Sequence, residues 1–139
     1  MARQRELDLG DIWLFSACTA GQLKTIRRQV EEVTIAAGRV LVEEGTVGRE
    51  FFFIIDGTAT VRKGGRKVAT LGPGQYFGEL SLLDRQPRSA TVTADTDMTL
   101  LVLDQRRFNG LLDDMPTLAH KLLAAMAQRI RDADARAVQ

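Results

Sequence analysis

One acid and one base stand out in residues 76–92, whose sequence is YFGELSLLDRQPRSATV. Glu79 follows Gly78 and opens an apolar turn, and Arg88 lies nine residues further on. A short helix that begins at a glycine directs free N–H groups outward and favours a bound anion. The planar guanidinium of arginine suits phosphate, and an ionised carboxylate accepts a hydrogen bond from a hydroxyl such as a sugar 2′-OH. We therefore interpret this segment as a cradle for a nucleotide or a sugar phosphate.

The residue types alone favour a simpler alternative, in which Glu79 and Arg88 form a structural ion pair. Such pairs are common, and desolvation limits what they contribute to stability. The joint pattern of glycine, acid, apolar turn, Pro-Arg and serine favours ligand binding instead.

The stretch FGELSLLDRQPRSATV resembles, without gaps, the phosphate-binding cassette of the cyclic nucleotide-binding domain family. The resemblance implies that Glu79 holds the ribose 2′-OH and that Arg88 holds the cyclic phosphate. It also implies a phosphate nest of backbone N–H groups, to which Ser89 adds a hydroxyl. The ligand-binding residues that the resemblance implies around the cassette are Phe77, Gly78, Glu79, Leu80, Ser81, Arg88, Ser89 and Ala90.

Residues outside the cassette complete the site that the resemblance implies. Arg129, on the final helix, falls where the family places residues that reach back toward the ribose edge; a solvated helix arginine is an equally good interpretation. The position that holds a polar contact to adenine in bacterial regulators falls at Ala133 or Asp134, and an alanine there would weaken base selectivity. The residues expected on the purine side are Val61, Val68 and Leu71.

The composition is that of one soluble globular domain. The chain has 139 residues, of which 45% are hydrophobic and 27% charged, with a net charge of +1. This charge recruits neither nucleic acid nor a membrane. A single cysteine, Cys18, excludes an internal disulfide and fits a reducing compartment. The chain also lacks a membrane-spanning apolar run and a signal-peptide core, so a cytoplasmic protein is predicted.

Residues 1–32 are predicted to form an N-terminal helical segment. The apolar cluster at 11–15 is expected to be a helical turn that caps the core. Thr19 and Gln22 have the spacing of a capping box, which predicts a helix start. Apolar residues then recur at intervals of three and four, so the helix is predicted to run to about Glu32.

Residues 33–104 show the alternation of short strands with turn residues between them. Gly64-Gly65, between two basic dipeptides, predicts a tight hairpin. Strands of this length and spacing favour a sandwich or roll. The resemblance implies a mainly β fold with flanking helices, an eight-stranded jelly-roll barrel with a short cassette helix between two strands. The apolar runs are 33–35, 40–42, 51–55, 59–61, 68–71, 90–94 and 100–103.

Residues 105–139 return to helical spacing and are predicted to form a hinge and lid helices. Asp104 is the expected N-cap of a first helix, and Pro116 suits the first turn of a second. The second helix carries an apolar stripe. This stripe could cover the roll, pair with a second copy of the chain, or do both. The stripe consists of Leu118, Leu122, Met126 and Ile130.

Three classes of function fit this fold. An enzyme is disfavoured because the chain has one histidine, His120, and no catalytic or metal-ligating set. A protein-interaction module that no longer uses a ligand is the alternative; the intact Glu79, Arg88 and Ser89 argue against it. We therefore predict a sensor without a cofactor that binds cyclic AMP, and cyclic GMP more weakly. It is expected to signal through its C-terminal helix to an effector protein or domain, without binding nucleic acid directly.

Overall fold

The structure of the chain, a computed structural model, describes residues 12–78 and 84–138, with the backbone alone at Trp13 and at 135–138. The predicted cassette helix lies outside the described residues. So do three of the predicted ligand-binding residues, Glu79, Leu80 and Ser81.

Eight strands in the described ranges form two four-stranded antiparallel sheets. The first sheet has the order β1-β8-β3-β6 and the second β2-β7-β4-β5. This arrangement confirms the predicted jelly roll. The strands are β1 (Glu31–Ile35), β2 (Val40–Val42), β3 (Glu50–Asp56), β4 (Ala59–Lys63), β5 (Arg66–Leu71), β6 (Tyr76–Phe77), β7 (Thr91–Ala94) and β8 (Met98–Asp104).

Strand β3 is buried on both faces and separates two hydrophobic clusters. Side chains alternate along a strand, so Phe52 and Ile54 point between the two sheets. Phe51 and Phe53 point the other way, into a cluster formed with the helices. The side chain of Phe51 meets that of Phe108 edge to face, with ring centroids 5.0 Å apart. The roll thus has an inner core and a second core beneath its helical cover.

The helical cover begins and ends where the local sequence signals indicate, with one exception. It comprises a 3-10 turn (Trp13–Phe15), α1 (Ala20–Gln29), α2 (Gln105–Asp114) and α3 (Pro116–Val138). The capping box of Thr19 and Gln22 is present, and the Asp104 side chain accepts a hydrogen bond from the Arg107 N–H. Helix α1 ends at Gln29 rather than near the predicted Glu32, because Glu31 and Glu32 already pair with β8.

The apolar stripe of α3 divides into a buried and an exposed half. Leu118 and Leu122 are buried in the helical cluster, and Met126 packs against it. Ile130 is 62% exposed. The inner half of the stripe is therefore core packing. Among the described residues, no helix is long and apolar enough to cross a membrane.

The predicted hairpin at Gly64-Gly65 joins β4 to β5. Both glycines have positive φ, 58° and 82°, the conformation that a tight two-residue turn requires. The Gly64 N–H donates to the Glu44 carboxylate at 3.0 Å. Arg62 lies opposite Lys67 and Lys63 opposite Arg66 on the exposed end of this ribbon.

Strand β6 was not predicted, because two residues are too few to show alternation. Phe77 pairs with Phe52 of β3, and the two rings stack with centroids 4.8 Å apart. The neighbouring Tyr76 pairs with Phe53. This short ladder fixes the chain at Phe77, where the cassette begins.

Candidate functional site

A cavity of about 400 Å³ gathers most of the predicted ligand-binding residues. Residues from β2, β4, β5, β6, β7 and α3 and from the end of the cassette line it. Eight of the twelve predicted residues are in its lining: Val61, Leu71, Phe77, Gly78, Arg88, Ser89, Ala90 and Arg129.

Arg88 is the buried cation of this cavity, with 6% of its surface exposed. Its Nη1 donates to the Gly78 carbonyl at 2.9 Å and its Nη2 to the Glu50 carbonyl at 2.8 Å. The Arg88 Cζ atom also lies 6.0 Å from the centroid of the Phe52 ring. Backbone carbonyls thus orient the guanidinium fork from within the protein. A cation fixed in this way at a cavity wall suits an oxyanion such as phosphate.

Two glycines make room for the Arg88 guanidinium. Gly78 has a φ of +95°, and a Cβ there would lie 2.8 Å from Nη1 and 2.9 Å from the Glu50 oxygen. A Cβ at Gly48 would lie 1.8 Å from Nε. Gly48 was not predicted as part of the site. It stands in a loop, and nothing nearby in sequence indicates that it faces a residue forty positions away.

The end of the cassette is fastened to the loop before β3 by the backbone of Arg88. The Arg88 N–H donates to the Thr46 carbonyl at 2.7 Å, and the Gly45 N–H donates to the Arg88 carbonyl at 2.8 Å. Ser89 and Ala90 follow directly and border the cavity. Hydrogen bonds of both the N–H and the carbonyl of Arg88 therefore hold this part of the cavity wall in place.

The wall opposite is apolar and comes from several strands. Val61 of β4 and Leu71 of β5 were predicted there, whereas Val42, Ala69 and Val92 were not. The last three lie on different strands, and only the order of the second sheet brings them together. Alternation along β5 is the signal that would have indicated Ala69, since it lies two residues before Leu71. An apolar wall facing a cation suits a planar base joined to a phosphate.

Val68 lies beside the cavity rather than in it. The register shifts between Val61 and Arg62, so Ala69 is the residue paired with Val61. Val68 is 55% exposed and lines an adjoining depression of about 540 Å³. That depression also includes Ser89, Ala90 and Arg129 and therefore continues the cavity outward.

Helix α3 reaches the cavity through Arg129. The Arg129 Cζ atom lies 5.9 Å from the centroid of the Tyr76 ring, a cation–π arrangement. Asp132 is on the adjoining depression and accepts a hydrogen bond from Gln128 at 2.9 Å. Ala133 and Asp134, where the family resemblance implies an adenine contact, line neither the cavity nor this depression.

The remaining chemistry of the described residues lies away from this cavity. Burial raises the pKa of the Cys18 thiol, and the Lys121 ammonium opposes this with a smaller effect. Within the described ranges, no three or more side chains of histidine, cysteine, aspartate and glutamate are grouped so that they could hold a metal ion.

The model of the cyclic nucleotide-binding domain family matches residues 32–115, which include both sheets apart from the first residue of β1. The chain belongs to this family. The domains of the family are modules that bind a cyclic nucleotide.

Two curated relatives and one solved structure show how the match extends. The chain is 37% identical over 105 residues to the cAMP-dependent protein kinase regulatory subunit of Schizosaccharomyces pombe, covering 75% of this chain and 26% of that protein. It is 37% identical over 102 residues to the cyclic AMP receptor protein of Thermus thermophilus, covering 70% and 47%. The crystal structure of the Thermus thermophilus catabolite activator protein superposes with a TM-score of 0.83 at 31% identity, covering 88% of this chain and 60% of that one. The chain thus spans a quarter to a half of the length of these curated relatives.

Proposed function

We propose that this protein is a sensor that binds a 3′,5′-cyclic nucleotide, prefers cyclic AMP, and passes the signal on through α3. The observation that carries the proposal is the shared cavity of Arg88, an apolar wall and Arg129 of α3. The residues proposed to bind the ligand and the helix proposed to pass on the signal therefore border the same cavity.

The cavity suits a cyclic nucleotide in size and in polarity. Its volume of about 400 Å³ is in the range of small-molecule sites. The cyclic phosphate carries one negative charge, which the buried Arg88 matches with charge-assisted hydrogen bonds. The purine lies against Val61 and Leu71, and Glu79 takes the ribose 2′-OH, as the resemblance implies.

The preference for cyclic AMP rests on the relatives and on Ser89. The two curated relatives are named for cyclic AMP. Ser89 borders the cavity next to Arg88; the family resemblance implies that a threonine at this position would favour guanine. Cyclic GMP is expected to bind more weakly.

The proposal that α3 passes on the signal is supported by how this helix is attached to the rest of the protein. Met115, just before the helix, is buried, and its N–H donates to the Leu111 carbonyl at 2.8 Å. A lid that closes on nucleotide would cover more of α3, but Leu122 is already only 3% exposed. Any gain therefore falls on Met126 and Ile130, at the outer half of the helix beside Arg129.

Calorimetric titration of nucleotide-free protein with cyclic AMP, cyclic GMP and 5′-AMP tests the proposal. The first should bind best, and the open 5′-AMP should bind worst because its phosphate is not cyclic. A ligand that binds only the folded state adds about 2.7 kcal/mol to its stability at a hundred times its dissociation constant, which a thermal shift reports. Absence of both heat and thermal shift at millimolar cyclic nucleotide would contradict the sensor and favour an interaction module.

A further inference from the structure

A second depression, of about 700 Å³, shares no lining residue with the cavity of about 400 Å³ that contains Arg88, which we call the nucleotide cavity. Three segments line it: Val47 to Arg49 before β3, Arg85 and Gln86 at the end of the cassette, and the start of α2. We name it the arginine groove, because Arg49, Arg85 and Arg106 all lie on it.

The charge of the arginine groove is uncompensated within the described part of the chain. All three arginine side chains are exposed, and none of them forms an ion pair or a side-chain hydrogen bond with another described residue. The single acid of the groove, Asp104, is engaged by Arg107: its carboxylate accepts the Arg107 N–H at 2.9 Å and lies 3.8 Å from Nε. The groove therefore offers three guanidiniums to an external anion.

The other lining residues indicate which kind of anion fits. Gln86, Gln105 and Asn109 carry side-chain amides, which both donate to and accept from peptide backbone groups. Val47 is 75% exposed and offers an apolar contact at the same place. Amides, an apolar patch and guanidiniums together match an extended peptide with carboxylate side chains and an occasional apolar one.

We propose that the arginine groove is a docking surface for an acidic peptide segment of a partner protein. Arginine binds carboxylates with two parallel hydrogen bonds, which gives such a segment both affinity and direction.

The arginine groove is joined to the nucleotide cavity through Gly48. Gly48 lines the groove, and its backbone touches the Arg88 guanidinium. The Arg49 carbonyl accepts the Gln105 N–H at 2.9 Å, which ties the same loop to α2. A nucleotide that moves the Arg88 fork therefore moves one wall of the groove. Two sites that share a movable element change each other's affinity by the same factor.

The test uses the full chain and a fluorescent ten-residue peptide in which glutamate alternates with leucine. Fluorescence anisotropy should show saturable binding, and the same peptide with glutamine for glutamate should bind at least tenfold more weakly. The double variant Arg49→Glu, Arg106→Glu should also bind the glutamate peptide at least tenfold more weakly than the parent protein does. Its matched control is Arg66→Glu, Arg131→Glu, which makes the same charge change at exposed sites outside the groove. The affinity of this control for the peptide should fall by less than threefold.

The proposal is overturned by any of three results: no binding at millimolar peptide, equal losses in both double variants, or a short DNA duplex that binds the groove more tightly than the peptide. Val47→Ser, which leaves the charge unchanged, should weaken binding severalfold and serves if charge reversal disturbs folding. The linkage rests on the proposed function. Saturating cyclic AMP should change the peptide dissociation constant about 5- to 150-fold. An unchanged constant in protein that calorimetry shows to be loaded would refute the linkage alone, whereas a failed titration would refute the sensor.

Discussion

The Arg88 guanidinium lies against the backbone of Gly48 so closely that no side chain fits between them. A Cβ at Gly48 would come 1.8 Å from the Arg88 Nε and 2.0 Å from its Cζ. The Arg88 guanidinium can therefore occupy its place in the cavity wall only because residue 48 has no side chain.

Gly48→Ala is therefore expected to displace the Arg88 fork and to weaken nucleotide binding. Loss of one charge-assisted hydrogen bond costs about 1.5–3 kcal/mol, so the dissociation constant should rise about 10- to 150-fold. Gly110→Ala in α2 is the matched control, because a Cβ there meets nothing within 4 Å. Calorimetry should show unchanged affinity for the control, and equal affinity of both variants would contradict the placement.

Arg88→Ala should impair both binding and folding. Removing one partner of a buried charged pair costs about 2–5 kcal/mol, so affinity should fall tens- to thousands-fold. The freed carbonyls of Gly78 and Glu50 should lower the stability of nucleotide-free protein by about 1–3 kcal/mol each where they stay dry. Arg88→Lys should recover part of the binding, since a point charge replaces a planar fork. Parent-like affinity of Arg88→Ala would show that phosphate binds elsewhere.

Glu79 is tested with the 2′-deoxy analogue of cyclic AMP. The parent protein should bind the analogue about 1.5–3 kcal/mol more weakly than cyclic AMP, since that is the contribution of a hydrogen bond to a charged group. For Glu79→Ala this difference should be small. The four titrations form a double-mutant cycle, and equal losses in both proteins would remove Glu79 from the ribose.

Truncation of α3 is best made after Ala127. A cut after Asp114 would remove the buried Leu118 and Leu122 together with the rest of α3. Loss of one buried leucine side chain costs about 2–5 kcal/mol, so the shorter chain should unfold. A chain ending at Ala127 keeps both leucines, lacks Arg129, and should bind nucleotide more weakly.

Hydrogen exchange on the full chain tests the lid directly. Nucleotide should protect the outer half of α3, around Met126 and Ile130, as well as the cassette. Protection of the cassette alone would mean that binding is not passed to this helix.

The Cys18 thiol should react slowly with disulfide reagents near neutral pH. Burial raises its pKa, so less of the reactive thiolate is present than for a free cysteine. Lys121→Met removes the opposing positive charge, so the pH at which the rate reaches half its maximum should rise further. A midpoint that falls in the variant would contradict the assigned effect of Lys121.

The sequence predicted the fold, and it indicated Gly78, Arg88 and Ser89 of the cavity lining, because the signals for both are local. The capping residues Thr19 and Asp104 each accept a hydrogen bond from the N–H three positions further on, and the turn glycines Gly64 and Gly65 act on their own backbone. The cassette is likewise one continuous stretch of chain. Such features can be found by reading along the sequence.

What the sequence did not predict depends on contacts between distant residues. Gly48 faces Arg88, and Val42 and Val92 share a wall only because β2 and β7 are neighbours. The register shift after Val61 brings Ala69 to the cavity instead of Val68. Of these residues only Ala69 has a signal in the sequence, its alternation with Leu71, and sheet order and register produce the other relationships.

The exposed end of the β4–β5 ribbon carries four basic side chains at paired positions. Arg62 opposite Lys67 and Lys63 opposite Arg66 are like charges at paired positions, which disfavours strand pairing. Salt screens exposed charges over a distance of about 10 Å at 0.1 M, so the repulsion weakens as ionic strength rises. Lys63 also lines the depression that continues the nucleotide cavity outward. We therefore expect the strands at this rim of the cavity to pair more firmly as the salt concentration rises.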